Sequence, residues 1–348
     1  MIPISVCIIT KNEAENLEKC LSALQPYQFE LVVIDTGSTD NSKEVALKYT
    51  DKVYDFEWIN DFSAARNFCI SHASHDMILS LDTDEFVTDV DLEQAEKLIK
   101  ANPEGVGCIN VLNYFETQNG MQYQSSMLGR IFNKKYYHYQ NPIHEILTSI
   151  VNISTYYYDL PITVDHVGYL GTEQKLYEKS KRNIELLLRE IEKNPEEPYN
   201  YFQLAQSYLL TRDHETACEY FDKSLKLNPN PKLEYTRLMV CNYGNMLINM
   251  EKYEDTLPLL SYYEYYDDNA DYLCLTGLIY LHFNQQLKAL QEFIKALAAP
   301  TRDSIENKNI SYFIGFIYEY FKQYDIAKQH YLKCGDFEPA LEALERLK

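Results

Sequence analysis

Short apolar runs and amphipathic segments alternate along the first 170 residues. Ile4–Thr10 and Leu31–Asp35 are nearly continuous apolar runs, typical of strands that are covered on both faces. Between them, Leu17, Leu21 and Leu24 have the i, i+4, i+7 spacing of one helix face. Strands separated by helices of about 10–15 residues predict right-handed crossovers and a parallel, doubly wound sheet.

The alternation continues to residue 101 and then changes character. Further helices are predicted at 41–49, 61–73 and 92–101, and strands at Val53–Phe56, Met77–Leu81, Val106–Phe115, Leu128–Phe132 and Ile162–Val164. The links between the later strands are irregular and rich in tyrosine. This pattern favours a mixed, partly antiparallel extension of the sheet.

A helical repeat occupies the second half of the chain. After one charged amphipathic helix at Glu173–Lys193, small residues and aromatics recur in four copies whose spacings are 39, 33 and 38 residues. Within each copy two small or short residues lie twelve apart, as at Ala205 and Ala217, one on each helix of a pair. The pattern resembles the tetratricopeptide repeat, whose period is about 34 residues. An all-α solenoid of this kind binds peptides, mediates dimers or braces another domain.

Composition narrows the possible partners and location. The 348 residues contain 52 acids and 32 bases, and the net charge of −20 argues against nucleic acid as a partner. Eight scattered cysteines without a C-x-x-C pair indicate buried thiols in a reducing compartment. No apolar run approaches 18 residues, and the N-terminus enters a strand without a basic leader. We therefore expect a cytoplasmic protein with no membrane span.

Two carboxylates follow the strand Met77–Leu81. Asp82 and Asp84 would lie at its carboxyl end, where open α/β sheets bind ligands. Because the two charges repel each other, a divalent Mg²⁺ or Mn²⁺ ion carrying a diphosphate would satisfy both. The alternative is a turn with capping aspartates. Glycine-rich phosphate loops are absent, so a dinucleotide-binding or kinase function has no support.

Several ordered motifs resemble the family 2 glycosyltransferases, whose fold is the GT-A nucleotide-sugar domain. They are Ile8–Glu13, Val33–Asp40, Asn60–Asn67, Leu81–Glu85, Ile143–Glu145 and His166–Tyr169. With repeats behind the domain, the order resembles the branch that contains the sublancin-type peptide S-glycosyltransferases. The resemblance implies an α/β GT-A domain, Rossmann-like with a mostly parallel sheet, at 1–170. A linking helix at 171–197 and an all-α tetratricopeptide solenoid with a capping helix at 198–348 would follow.

The resemblance assigns the donor nucleotide to residues near the first strands. It places Thr10 and Glu13 at the nucleoside, although Glu13 also suits an ordinary strand–helix junction. Asp35 would accept a hydrogen bond from uracil N3, or would simply form a turn. Arg66 would lie near the uracil and diphosphate, and Arg130 would also bind the nucleotide sugar. Each arginine could instead form a plain salt bridge with a neighbouring acid.

The resemblance also implies a metal site and a general base. Asp82 would reach the ribose and the metal, Asp84 would ligate the metal, and His166 would be a third ligand unless it is structural. Glu145 would be the general base that takes the acceptor's proton, with an ion pair to Arg130 as the alternative. His144 would orient the acceptor or the donor, or be a satisfied core histidine.

These expectations describe a metal-dependent, inverting enzyme. It would move a sugar from a UDP-sugar to a cysteine or serine side chain of a peptide or protein, including a bacteriocin-type precursor. One alternative acceptor is a cell-envelope glycan or a lipid-linked molecule. Another alternative is a non-catalytic scaffold with a degenerate sugar-nucleotide domain. A homodimer through the repeats is also expected, while the sugar and the linkage atom stay open.

Overall fold

The computed structural model describes residues 3–117, 120–168, 170 and 173–348. The chain divides into two compact units, residues 1–186 and 187–348. The division falls inside one long helix, Glu173–Lys193, which the sequence predicted with the same bounds. The expected domain boundaries at 170 and 197 lie on either side of this helix. Tyr169 of the last motif, Gly171 and Thr172 lie outside the described residues.

The first unit is built on a twisted sheet. Its strands are β1 (Ile4–Thr10), β2 (Glu30–Asp35), β3 (Val53–Asp55), β4 (Met77–Asp82), β5 (Glu85–Val90), β6 (Val106–Thr117), β7 (Gly120–Asn133) and β10 (Tyr157–His166), while β8 (Tyr137–Gln140) and β9 (Ile146–Ser149) form a separate pair. The spatial order of the large sheet is β3-β2-β1-β4-β7-β6-β10-β5. The first four strands are parallel, whereas β7 is antiparallel to β4 and β6. Both the parallel sheet and its mixed extension are therefore confirmed.

Helices cover both faces of this sheet. They are α1 (Ala14–Leu24), α2 (Ser42–Ala46), α3 (Phe62–His72) and α4 (Leu92–Ala101), and the long helix Glu173–Lys193 is α5. Side chains of α1, α2 and α4 join one apolar core with alternate residues of β1 such as Val6 and Ile8. Side chains of α3 and β8 join the other core with Cys7. Because β1 is buried on both faces, its sequence is mostly apolar.

Three strands, β5, β8 and β9, were not predicted from the sequence. The strand β5 begins with a buried acid, Glu85, and its burial does not alternate regularly because Thr88 and Asp89 are both exposed. In β8, Tyr137 is 1% exposed and belongs to the hydrophobic core. Part of the tyrosine-rich stretch therefore packs inside the protein and is not exposed.

The second unit consists of packed helices. They are α6 (Pro198–Leu210), α7 (His214–Lys226), α8 (Glu234–Asn249), α9 (Tyr263–Tyr266), α10 (Ala270–His282), α11 (Gln286–Ala298), α12 (Asn307–Tyr320), α13 (Tyr324–Leu332) and α14 (Glu338–Arg346). A Cβ added to Gly277 would lie 2.7 Å from the Phe293 ring, so the small residue on one helix admits the aromatic of the next. The degenerate copy replaces its second helix by a 3-10 segment, Tyr253–Tyr262, which contains Pro258.

Within the described residues, no helix combines the length and apolarity that crossing a membrane requires. All eight cysteines are buried and free of disulfide bonds.

Candidate functional site

Three neighbouring strands end at the same edge of the sheet with polar residues. In the parallel register Thr10 pairs with Asp35, and Ile9 pairs with Asp82. Adjacent strands lie about 4.8 Å apart, so β2 and β4 are separated by about 10 Å across β1. Thr10, Asp35 and Asp82 therefore line one edge, which is the carboxyl edge that the sequence predicted for Asp82.

Asp35 and Thr10 carry unused hydrogen-bonding atoms at this edge. Asp35 is 4% exposed, and its Oδ1 accepts the backbone N–H groups of Gly37 and Ser38 at 2.7 Å each. Its Oδ2 and the Thr10 hydroxyl are buried without a hydrogen-bond partner among the described residues. Buried polar atoms in folded proteins are normally satisfied, so an acceptor and a hydroxyl left open side by side indicate a ligand.

The loops after β1 and β2 hold each other in place. Asn12 N–H donates to Ser38 Oγ at 2.9 Å, and Thr39 N–H donates to Asn12 Oδ1 at 2.7 Å. Glu13 precedes α1, and its carboxylate accepts from Asn16 Nδ2 at 2.8 Å. The contact of Glu13 with its own helix matches the strand–helix junction that the sequence offered as an alternative.

Arg66 links three parts of the fold beneath the site. It is 9% exposed in α3. Its Nη2 donates to Asp82 Oδ1 at 2.7 Å, its Nε donates to Glu145 Oε1 at 2.9 Å, and its Nη1 donates to Ser80 Oγ at 3.3 Å. The sequence proposed Arg130 as the possible partner of Glu145, and this pairing is wrong because Arg66 occupies that position.

Arg130 forms the second half of the ionic network. Its Nη2 donates to Asp82 Oδ2 at 3.2 Å and to Glu85 Oε1. Glu85 is 1% exposed, and its other oxygen accepts the backbone N–H of Asp82 at 2.9 Å. Burial alone would raise the pKa of Asp82, but the adjacent Arg66 and Arg130 guanidiniums lower it well below its usual range. Asp82 is therefore a firmly ionised carboxylate with a fixed orientation.

Asp84 and His166 form a separate pair. His166 Nε2 lies 3.6 Å from Asp84 Oδ2, and the Nδ1 of the ring bonds to Asn113 Oδ1 at 2.8 Å. Since an amide oxygen only accepts, Nδ1 carries the proton and a neutral ring turns the Nε2 lone pair towards Asp84. Burial lowers the pKa of His166, but the carboxylate of Asp84 outweighs this effect and raises it. Sequence analysis missed Asn113.

A metal ion fits this pair only with help from a ligand. No three His, Cys, Asp or Glu side chains converge anywhere in the described ranges, because Asp82 turns towards the arginines while Asp84 turns towards His166. A Cβ on Gly168 would lie 2.5 Å from both Asp84 Oδ2 and His166 Nε2, so a glycine keeps the space over these two atoms open. One carboxylate and one imidazole suit a divalent ion whose remaining ligands are phosphate oxygens and water.

The loop that carries His144 and Glu145 is tied to the start of α3. Phe62 N–H donates to Pro142 O at 2.8 Å, and Ser63 Oγ donates to Asn141 O at 2.6 Å. Glu145 Oε2 has no hydrogen bond within the described part of the chain, whereas Oε1 is held by Arg66. Burial lowers the pKa of His144 and Glu145 only partly offsets this, so the ring is neutral at pH 7.

Comparisons with known proteins identify the two parts of the chain. The model of the family "Glycosyl transferase family 2" matches residues 5–157, and a tetratricopeptide repeat model matches residues 198–231. A TPR repeat-containing protein of Synechococcus elongatus is 31% identical over 68% of this chain and 60% of its own length. The SPbeta prophage-derived glycosyltransferase SunS of Bacillus subtilis is 26% identical over 72% of this chain and 62% of its own length.

The chain thus spans about three fifths of the length of these relatives. Among solved structures, that of YrrB, described as a TPR protein with an unusual peptide-binding site, is similar to 48% of this chain and covers 84% of its own. Its TM-score is 0.42 and its sequence identity is 17%.

Proposed function

The chain carries a family 2 glycosyltransferase domain followed by tetratricopeptide repeats, and from this premise we propose that it transfers a sugar from a UDP-sugar to a peptide or protein side chain. The observation that carries the donor assignment is the pair of open buried atoms, Asp35 Oδ2 and Thr10 Oγ1, at the edge shared with Asp82. Uracil presents an N3–H donor between two carbonyl acceptors, which complements a carboxylate oxygen beside a hydroxyl.

The donor's diphosphate would lie over the ends of β1 and β4. Asp84 and His166 would hold a Mg²⁺ or Mn²⁺ ion beneath Gly168, with Asp82 close to the ribose and the ion. When bound, the ion would neutralise the charge of the diphosphate. Arg66 and Arg130 both form ion pairs with Asp82 and hold its carboxylate in place. The two arginines would therefore act on the nucleotide sugar through Asp82.

Glu145 would act as the general base. With Oε1 anchored by Arg66, Oε2 is available to take the proton of an acceptor S–H or O–H group. The acceptor atom then forms a bond to the anomeric carbon, the bond from that carbon to the diphosphate oxygen breaks, and UDP leaves. Attack opposite the leaving group inverts the anomeric centre. Neutral His144, next to Glu145, would orient the acceptor or the donor.

The acceptor proposal rests on the helical repeats. The motifs and the order of domains resemble those of the sublancin-type peptide S-glycosyltransferases, which supports a cysteine or serine of a peptide as the acceptor. Eight buried thiols support a reducing, cytoplasmic location. Self-association through the repeats is also proposed, because Phe316, Tyr320 and Tyr324 are between 46% and 60% exposed.

Turnover of UDP-sugars tests the donor and the metal together. Hydrolysis of UDP-glucose and UDP-N-acetylglucosamine is measured with Mn²⁺, with Mg²⁺ and with EDTA, in the wild type and in Asp84→Ala. We expect turnover to need the ion and to fall roughly 100-fold or more in Asp84→Ala, while the exposed Asp89→Ala control stays within about twofold. Undiminished turnover in Asp84→Ala would exclude the metal assignment, and UDP binding without any turnover would favour the non-catalytic scaffold.

Co-expression with a small secreted precursor peptide tests the acceptor. A hexose-sized mass increment on the peptide supports the proposal, whereas transfer to an envelope glycan or lipid-linked sugar in the same cells supports the alternative acceptor. Light scattering at micromolar concentration tests self-association, and a monomer would refute it.

A further inference from the structure

Arg182, on the α5 helix, packs on Phe62, whose backbone N–H is bonded to the loop that carries Glu145. Its guanidinium carbon is 5.1 Å from the centroid of the Phe62 ring. Phe62 begins α3, donates its N–H to Pro142 O at 2.8 Å and packs edge-on against Trp58 at 4.8 Å. An aromatic platform therefore holds a guanidinium beside the acceptor loop.

Two carboxylates of the first unit act electrostatically on this guanidinium. Burial among protein atoms lowers the pKa of Arg182, while the carboxylates of Glu145 and Glu13 raise it. Glu13 precedes α1, and Glu145 belongs to the loop whose Pro142 O accepts the N–H of Phe62. Arg182 itself is solvent-exposed, so a ligand can reach its side chain.

Arg182 differs from the other two arginines of this unit in what its donors contact. Arg66 and Arg130 are held by Asp82, Glu85 and Glu145. No carboxylate of the described residues forms an ion pair with Arg182, whose contact is the face of the Phe62 ring. Its planar fork of N–H donors is therefore available for an anion, and bidentate binding of phosphate is what such a fork does best.

We propose that Arg182 binds the diphosphate of the UDP-sugar and stabilises UDP as the leaving group. This assignment rests on the proposed function. It adds a residue that binds the UDP-sugar, and this residue lies in a segment that the sequence analysis described only as a linking helix. Charge on the diphosphate increases as the glycosidic bond breaks, so a guanidinium there stabilises the transition state more than the bound substrate.

Calorimetric titration with UDP and with uridine, each with Mn²⁺, tests the assignment in the full chain. We expect Arg182→Gln to weaken UDP binding about 10- to 150-fold, the equivalent of a lost hydrogen bond to a charged group, and to leave uridine binding within about twofold. Arg182→Lys keeps the charge without the fork and should lose less. Lys181→Gln is the matched control, because Lys181 lies over Tyr177 of its own helix, and it should bind both ligands as the wild type does.

The titrations have three outcomes that would contradict the proposals. Equal UDP affinity in the wild type and Arg182→Gln would overturn the assignment. Equal weakening of UDP and uridine would also overturn it, because the residue would then act only through its packing on Phe62. A wild type that binds neither UDP nor uridine would overturn the proposed function itself. This result is distinguishable from failure of the Arg182 assignment, because it does not depend on any variant.

Discussion

The substitution Asp35→Asn should change which nucleobase the protein prefers. The new side chain would keep one oxygen for the N–H groups of Gly37 and Ser38, so the turn survives. Its amide NH₂ would then replace the open Oδ2 atom. In place of a carboxylate acceptor, the uracil N3–H group would meet a second donor.

The expected loss follows from that mismatch. A hydrogen bond to a charged group contributes about 1.5–3 kcal/mol, so the UDP affinity should fall about 10- to 150-fold. Cytosine has an acceptor at N3, so the variant should bind CDP better than it binds UDP, which reverses the preference. The free energy of unfolding should stay the same or rise, because the variant removes a buried carboxylate whose Oδ2 has no partner in the described chain.

Titration with UDP and CDP under identical salt and Mn²⁺ concentrations measures the effect. The matched control is Asp55→Asn at the end of β3, whose carboxylate is 71% exposed and pairs with Lys43. We expect it to leave both affinities within about twofold, since exposed ion pairs contribute little. An Asp35→Asn variant that binds UDP as tightly as the wild type, or loses UDP and CDP equally, would refute a contact between Asp35 and uracil N3.

Three further predictions concern buried or half-buried groups of the first unit. The unfolding of this unit in urea can be followed by the fluorescence of Trp58, the sole tryptophan of the chain. Thr10→Val should weaken uridine binding about 3- to 10-fold without loss of stability, since the hydroxyl has no partner in the described structure; unchanged binding would contradict its role. Glu85→Gln removes one partner of a buried ion pair, and a loss of about 3 kcal/mol is expected, whereas a loss below about 1 kcal/mol would show that the network is dispensable. Burial raises the pKa of Glu30, but hydrogen bonds from Lys52, Ser5 and Ser74 lower it from 4.5 to about 2. The stabilisation present above pH 4.5, about 2 kcal/mol once solvent screening is allowed for, is therefore lost as the pH falls towards 2, and Glu30→Gln should flatten this part of the stability curve.

Local pattern was sufficient to predict most of the scaffold. The helices at 92–101 and 173–193 and the strand Ile4–Thr10 have the bounds that the sequence predicted. The hydrophobic period is a property of residues that are close in sequence, so it predicts a helix or a strand independently of the tertiary fold. Likewise, carboxyl ends of parallel strands share an edge, and this rule predicted the place of Asp82, while the family resemblance pointed to Thr10 and Asp35 on the neighbouring strands.

The pairing of charges could not be predicted in this way. Arg66 and Glu145 are 79 residues apart, and Arg130 and Asp82 are 48 apart. Which arginine meets which acid depends on the antiparallel insertion of β7 beside β4, and no local signal encodes that choice. Only the fold revealed that Glu85 holds the Asp82 backbone.

Residue order alone thus determined the α/β-then-helical plan, the sheet edge that carries the polar residues and the identity of its acids, because these depend on short-range periodicity and strand direction. The tertiary structure decided that Asp82 faces two arginines while Asp84 faces His166, and that Arg182 of the long helix packs on Phe62. The physical reason is that ion pairs are chosen by strand order and loop path, which bring together residues with no relation along the chain.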